Sequence, residues 1–133
     1  MMMATAALAG LRMLIVEDEA MVAMMLEDQL MEFGCVVVGV AGSVSEGLAK
    51  IEIVAPDLDA AVLDVNLGGE KVYPVAEKLT ERGVPFIFAT GYGTAGIAPA
   101  FARVPTLAKP YTPKALEDML ASVTEAARRS DDD

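Results

Sequence analysis

Glu17 and Asp18 follow the apolar run RMLIV, Asp64 closes AAVLD, Thr90 closes FIFAT, and Lys109 follows TLA. Each stands where a short apolar stretch gives way to polar residues, at the C-terminal end of a strand candidate. Three carboxylates, a hydroxyl and an ammonium form a set that handles phosphate. The acids offer hard oxygen ligands that suit Mg²⁺, which takes few carboxylates, keeps waters and bridges to phosphoryl oxygens. Neighbouring carboxylates repel by roughly 4 kcal/mol at about 4 Å and an effective dielectric near 20, and a dication turns that repulsion into coordination. It also keeps Asp64 ionised and nucleophilic. Lys109 and the Thr90 hydroxyl can then meet the charge that spreads over phosphoryl oxygens during transfer. Singly, each residue reads as an ordinary turn acid or surface cation. The chemical reading depends on all five reaching one edge of one sheet.

The strand candidates that must bring them there are Arg12–Val16, Cys35–Val40, Ala60–Asp64, Pro85–Ala89 and Val104–Ala108. Several are apolar at consecutive positions, as expected of parallel strands covered on both faces. Between them, Glu19–Phe33 places Val22, Leu26, Leu30 and Phe33 on one helical stripe, with Gly34 as the stop. Ala20, Ala23, Met24 and Met31 fall outside that stripe. Ser43 and Glu46 have capping-box spacing and open a second helix with Leu48, Ile51 and Val54 inward. A third, Glu70–Arg82, carries Val72, Val75, Ala76 and Leu79 and ends at Gly83. Thr112-Pro113 caps a last helix with Leu116, Met119, Leu120 and Val123 as its stripe. The stretch GYGTAGIAPAFARVP is too rich in glycine and proline for more than a short or irregular turn. The methionines read as core filler at helical spacing. Alternating β and α elements predict a flavodoxin-like, doubly wound α/β fold: a five-stranded parallel sheet, order 2-1-3-4-5, with a shortened fourth helix. In that order the ends of strands 1 and 3 flank the crevice where such folds bind ligands.

Composition narrows the function. With 133 residues, 54% of them hydrophobic, the chain can bury one domain core despite a net charge of −10. The acidic balance and lack of a basic stripe exclude a nucleic-acid backbone binder. The sequence has no histidine, which removes Ser-His and Cys-His catalysis, histidine metal sites and a phosphohistidine donor role. Cys35, in CVVVGV, reads as a small core residue in a reducing compartment. No stretch suits a signal peptide or a membrane span, so a cytoplasmic protein is expected. Residues 1–10 and 129–133 are expected as flexible tails around a domain at 11–128, leaving no length for an output module.

The motifs LIVEDE, VLDVN, FATG and LAKPY, each on its expected element, are similar to those of two-component response-regulator receiver domains. The resemblance covers about residues 11–128. It implies that Glu17, Asp18, Asp64 and the backbone carbonyl of Asn66 hold Mg²⁺, that Asp64 accepts a phosphoryl group, and that Thr90 and Lys109 bind it. Such a chain catalyses only its own phosphorylation and dephosphorylation and is not an enzyme for external substrates. Its partners would be a sensor histidine kinase, docking on the first helix, and a downstream protein, met through the fourth-helix, fifth-strand and last-helix face. Without such a target it would act as a phosphate sink.

Three departures from the family pattern stand out. Gly68 occupies a position where most receivers have proline, implying a more mobile loop. Thr106 stands where many have the aromatic switch residue, leaving Tyr92 or Tyr111 beside Thr90 and Lys109 as replacements. The segment from Thr90 to Lys109 is short. With PFIFATGYG, these features resemble a subgroup of mostly single-domain receivers bearing a Phe-Ala-Thr-Gly motif, which work with kinases of the HWE and related classes. The alternatives are a phosphorylation-independent receiver-like interaction module and a metal-dependent phosphohydrolase. The hydrolase would want an aspartate two residues after the nucleophile, where this chain has Asn66.

Overall fold

The computed structural model describes residues 7–91 and 96–132. Its main sheet contains β1 (Arg12–Val16), β2 (Val36–Ala41), β3 (Ala60–Asp64), β6 (Phe86–Thr90) and β7 (Thr106–Ala108). All pairings in it are parallel and the order is β2-β1-β3-β6-β7, so β6 and β7 are the expected fourth and fifth strands. Helices α1 (Ala20–Glu32), α2 (Val44–Val54), α3 (Tyr73–Glu81) and α4 (Pro113–Asp132) complete the doubly wound arrangement.

Side chains alternate across the strands, giving the core two halves. Leu14, Val16, Leu63 and Phe88 pack with Ile51 of α2 and Val75 and Leu79 of α3. Met13, Ile15, Val62 and Ile87 pack on the other face with Leu26 and Leu30 of α1 and Leu116 and Leu120 of α4. Each such side chain contributes roughly 1.5–3 kcal/mol on burial. The sheet is therefore fixed from both sides, and with it the positions of its strand ends. The caps follow the expected spacing. Ser43 Oγ accepts from the Glu46 N–H at 3.2 Å, and Thr112 Oγ1 from the Ala115 N–H at 3.1 Å. Among the described residues no helix is long and apolar enough to cross a membrane.

Several expectations need correcting. The segment after Asp64 is not irregular: Asn66–Leu67 (β4) and Glu70–Lys71 (β5) form a small antiparallel hairpin, so the third helix begins at Tyr73 rather than Glu70. Gly68 and Gly69, at φ +53° and +96°, supply the left-handed turn that this two-residue connection demands. Residues 7–10, expected within a tail, are fastened to the core. Leu8 is fully buried and the Gly10 N–H donates to Gly34 O at 2.8 Å. Helix α4 runs on to Asp132 through residues read as frayed. An Arg129–Glu125 pair one turn apart supports that polar end. Among the described residues of the fourth crossover, Pro99–Phe101 form a 3₁₀ turn.

Candidate functional site

Strand register gathers the chemistry. Val16 is paired with Leu63, Asp64 with Ala89, and Thr90 with Ala108, so Glu17, Asp64, Thr90 and Lys109 lie at or one residue past adjoining strand ends. The Glu17 N–H donates to Ala41 O at 2.9 Å, and the Lys109 N–H to Thr90 O at 2.8 Å, tying the loop starts to neighbouring strands. Lys109 Nζ donates to Glu17 Oε1 at 2.8 Å and reaches Asp64 Oδ2 at 3.4 Å. Glu17 is 5% exposed and Asp64 9%. Thr90 is buried at the end of β6.

Burial sets the electrostatics. It raises Asp64, and the adjacent Glu17 charge adds to the effect, so the Asp64 carboxyl titrates at about 6 instead of 3.8. Glu17 pays for burial too, but hydrogen bonds from Lys109 and the Glu19 N–H outweigh it and hold its carboxyl low. For Lys109, burial disfavours the charge, and the two carboxylates more than compensate. The trio therefore carries one strongly held pair, Glu17–Lys109, and one carboxylate whose charge lacks a full partner.

Ligand oxygens of Glu17, Asp18 and Asp64 lie within 4.8 Å of one another. Three carboxylates around one point, with Asp64 under-neutralised, fit a small hard dication. Asn66, whose backbone carbonyl the resemblance to receiver domains implies as a further ligand, begins the hairpin, and its N–H donates to Asp64 Oδ1 at 3.3 Å. The hairpin tip also reaches the site. A Cβ at Gly68 would lie 3.7 Å from Asp18 Oδ2.

The switch candidates separate. Tyr111 is half-buried beside Lys109, and burial pushes its phenol up. Thr106 Oγ1 donates to Val104 O at 3.1 Å on the edge strand. Tyr92 lies outside the described residues. Sequence reasoning missed Tyr73, whose ring stacks on Phe101 with centroids 5.1 Å apart and meets Phe88 edge-on. Its hydroxyl accepts from the Ala98 N–H at 2.9 Å and donates to Gly96 O at 3.3 Å, tying α3 to the fourth crossover. Lys71, which donates to Asn66 Oδ1 across the hairpin, was missed as well. The Gly-Gly pair was the one legible signal for that hairpin.

Helix α1 departs from the core-filler reading of methionine. Met21, Met24, Met25 and Met31 are 77%, 62%, 63% and 57% exposed, whereas Ala23, placed outside the main stripe by its spacing, is buried. The stripe that faces the sheet is formed by Ala23, Leu26 and Leu30. Val22, Met25, Leu26 and Gln29 instead line a groove of about 350 Å³ that ends at Lys109, Pro110 and Tyr111.

No protein-family model matches the sequence. The solution structure of SdrG from Sphingomonas melonis Fr1 shares 43% identity at a TM-score of 0.76, covering 90% of this chain and 98% of that one. The beryllofluoride-activated conformation of SdrG, from Pseudomonas melonis Fr1, shares 44% identity at a TM-score of 0.74, covering 87% of this chain and 98% of that one. The transcriptional regulatory protein PdtaR of Mycobacterium tuberculosis is 26% identical over 119 residues, 89% of this chain. The chain spans 57% of the length of that curated relative. Fold, strand-end residues and the likeness to SdrG agree: the chain belongs to the response-regulator receiver family of two-component signalling proteins.

Proposed function

We propose that the chain is a phospho-accepting receiver whose Asp64 takes a phosphoryl group from the phosphohistidine of a sensor histidine kinase. The observation that carries this reading is the Lys109 ammonium set between Glu17 and Asp64 at the rim of a three-carboxylate cluster. An Asp64 oxygen attacks phosphorus, the P–N bond breaks, and its electron pair returns to the donor imidazole. No general base is required, because a carboxyl titrating at about 6 is mostly ionised at pH 7. Glu17, Asp18, Asp64 and the Asn66 carbonyl would hold Mg²⁺, which when bound neutralises charge on the transferring group. Lys109 gives up its contact with Asp64 and meets a phosphoryl oxygen, while Glu17 keeps it oriented. The Thr90 hydroxyl meets another oxygen.

The phosphoryl group adds roughly −1.5 to −2 charge at pH 7 and biases a two-state equilibrium at the strand ends. Output then passes through a protein contact, or the chain serves as a phosphate sink; it turns over no external substrate. The exposed methionines of α1 and the groove running to Lys109 suit docking of the kinase beside the acceptor. The short segment between Thr90 and Lys109, with its 3₁₀ turn at Pro99–Phe101, supports the Phe-Ala-Thr-Gly subgroup and, with it, a kinase of the HWE or a related class. Tyr111 and Tyr92 remain the proposed replacements for the strand-5 aromatic switch. A buried, unpaired Cys35, its thiol pushed up to about 11 by burial, suits the reducing cytoplasm.

Intact-protein mass spectrometry after incubation with Mg²⁺ and acetyl phosphate tests the proposal. One phosphoryl adduct that requires both Mg²⁺ and Asp64, and disappears in Asp64→Asn, is expected. A chain that takes no adduct and shows no spectral response to beryllofluoride is a phosphorylation-independent module instead.

A further inference from the structure

The hairpin after Asp64 is anchored at its base and small at its ladder. Val65, Leu67 and Val72 are buried, and the Val72 N–H donates to Val65 O at 3.0 Å. The ladder itself holds only Asn66 opposite Lys71 and Leu67 opposite Glu70. A two-stranded ladder of this size is marginal on its own. Asn66 and Lys71 are its first pair, the one adjoining Asp64, and the Lys71 ammonium donates to the Asn66 side-chain oxygen. From Asn66 the connection continues inward, since its N–H donates to Asp64 Oδ1.

We propose that Lys71 is a positioning residue for the metal pocket. By bonding Asn66 across the hairpin it keeps β4 and β5 in register, and thereby presents the Asn66 backbone in advance to the ion held by Glu17, Asp18 and Asp64. The proposal rests on the Mg²⁺ site of the preceding reading and adds to it an exposed residue that touches neither metal nor phosphate. Preorganisation of this kind improves affinity by removing an ordering cost that binding would otherwise meet.

A cation near a dication site has a competing effect, and the two differ in sign. If Lys71 acted by charge alone, removing it would relieve repulsion and tighten Mg²⁺ binding. Acting through Asn66, it makes removal weaken binding. A cross-strand pair of this kind makes the expected loss about 1.5- to 5-fold.

The experiment is calorimetric titration of the full chain with Mg²⁺ in four forms: wild type, Lys71→Met, Asn66→Ala and the double variant. Lys71→Met should weaken binding about 1.5- to 5-fold with only a small fall in the metal-free Tm, because Lys71 is exposed and its pair belongs to a two-pair ladder. Lys71→Arg, which keeps the donor, should restore most of the affinity. In the Asn66→Ala background, Lys71→Met should do nothing further. Unchanged or tighter binding in Lys71→Met overturns the proposal, as does an equal loss with and without the Asn66 side chain. Asp64→Asn is run beside these forms. If wild type binds Mg²⁺ no better than Asp64→Asn, the site reading itself fails and takes the proposal with it.

Discussion

Two ion-pair clusters in this molecule are mirror images. At the strand ends one cation, Lys109, sits between two acids, Glu17 and Asp64. On the surface joining α2 to α3 one acid, Glu52, sits between two cations, with Arg82 Nη2 at 2.8 Å and Lys78 Nζ at 3.4 Å. Their short contacts are equally good, but the side chain of Glu52 is 54% exposed and that of Glu17 only 3%. Water screens the surface cluster, which orders two helices locally and stores little energy. In the strand-end cluster screening is weak, so the charge balance is felt as displaced titration and as an under-neutralised Asp64. Geometry alone does not distinguish a structural pair from a chemical one. Burial, and an odd count of buried charges, does.

Removing the cation from the buried trio should break the contrast most visibly. Lys109→Met leaves two buried carboxylates facing each other. We expect about 2–4 kcal/mol loss of stability at pH 7.5 by denaturant unfolding without Mg²⁺. Added Mg²⁺ should recover part of it by binding the folded form.

Neutralising Asp64 should have the opposite sign. Its carboxyl rises from 3.8 to about 6 in the folded chain, so the folded state holds that proton more tightly than the unfolded state. The resulting stability is complete below pH 3.8 and is lost as pH rises through about 6. Asp64→Asn should therefore be more stable than wild type at pH 7.5 without Mg²⁺, by about 1–3 kcal/mol. It should also show a flatter stability profile between pH 4 and pH 6.5. A variant no more stable than wild type at pH 7.5 would mean that Asp64 is adequately compensated. Glu52→Gln should give the smallest effect. A Tm indistinguishable from wild type, with or without Mg²⁺, sharpens the comparison; a loss approaching that of Lys109→Met destroys it.

The parts of the fold that were legible in sequence are those governed by periodicity. Runs such as MLIV and IFA, split by helical stripes ending at Gly34 and Gly83, fix a parallel sheet and its order. A strand end also fixes where the following side chain stands, which is why Glu17, Asp64, Thr90 and Lys109 can be grouped from sequence alone. Features built from pairs of residues were hidden. Two-residue strands are too short to alternate, so Asn66–Gly69 read as a loop and Glu70–Lys71 as the start of a helix, and the cross-strand Asn66–Lys71 contact had no signature. Tyr73, Phe88 and Phe101 come from three separate elements, and nothing local brings them together. Leu8 looked like tail because nothing near it in sequence is its partner; Cys35, 27 residues on, donates to its carbonyl at 3.5 Å. The methionines of α1 were only partly legible, for a different reason. Apolar character reports a preference for burial, and a helix with only one face on the sheet has more apolar residues here than that face can cover.

The most direct test of the central claim is to locate the acyl phosphate. Borohydride reduces an acyl phosphate to the alcohol, converting phosphoaspartate to homoserine, and peptide mass mapping then reads the position. After treatment with acetyl phosphate and Mg²⁺, the account predicts homoserine at position 64, none at position 18, and none when Mg²⁺ is omitted. Homoserine elsewhere, or an adduct that survives reduction unchanged, would contradict it.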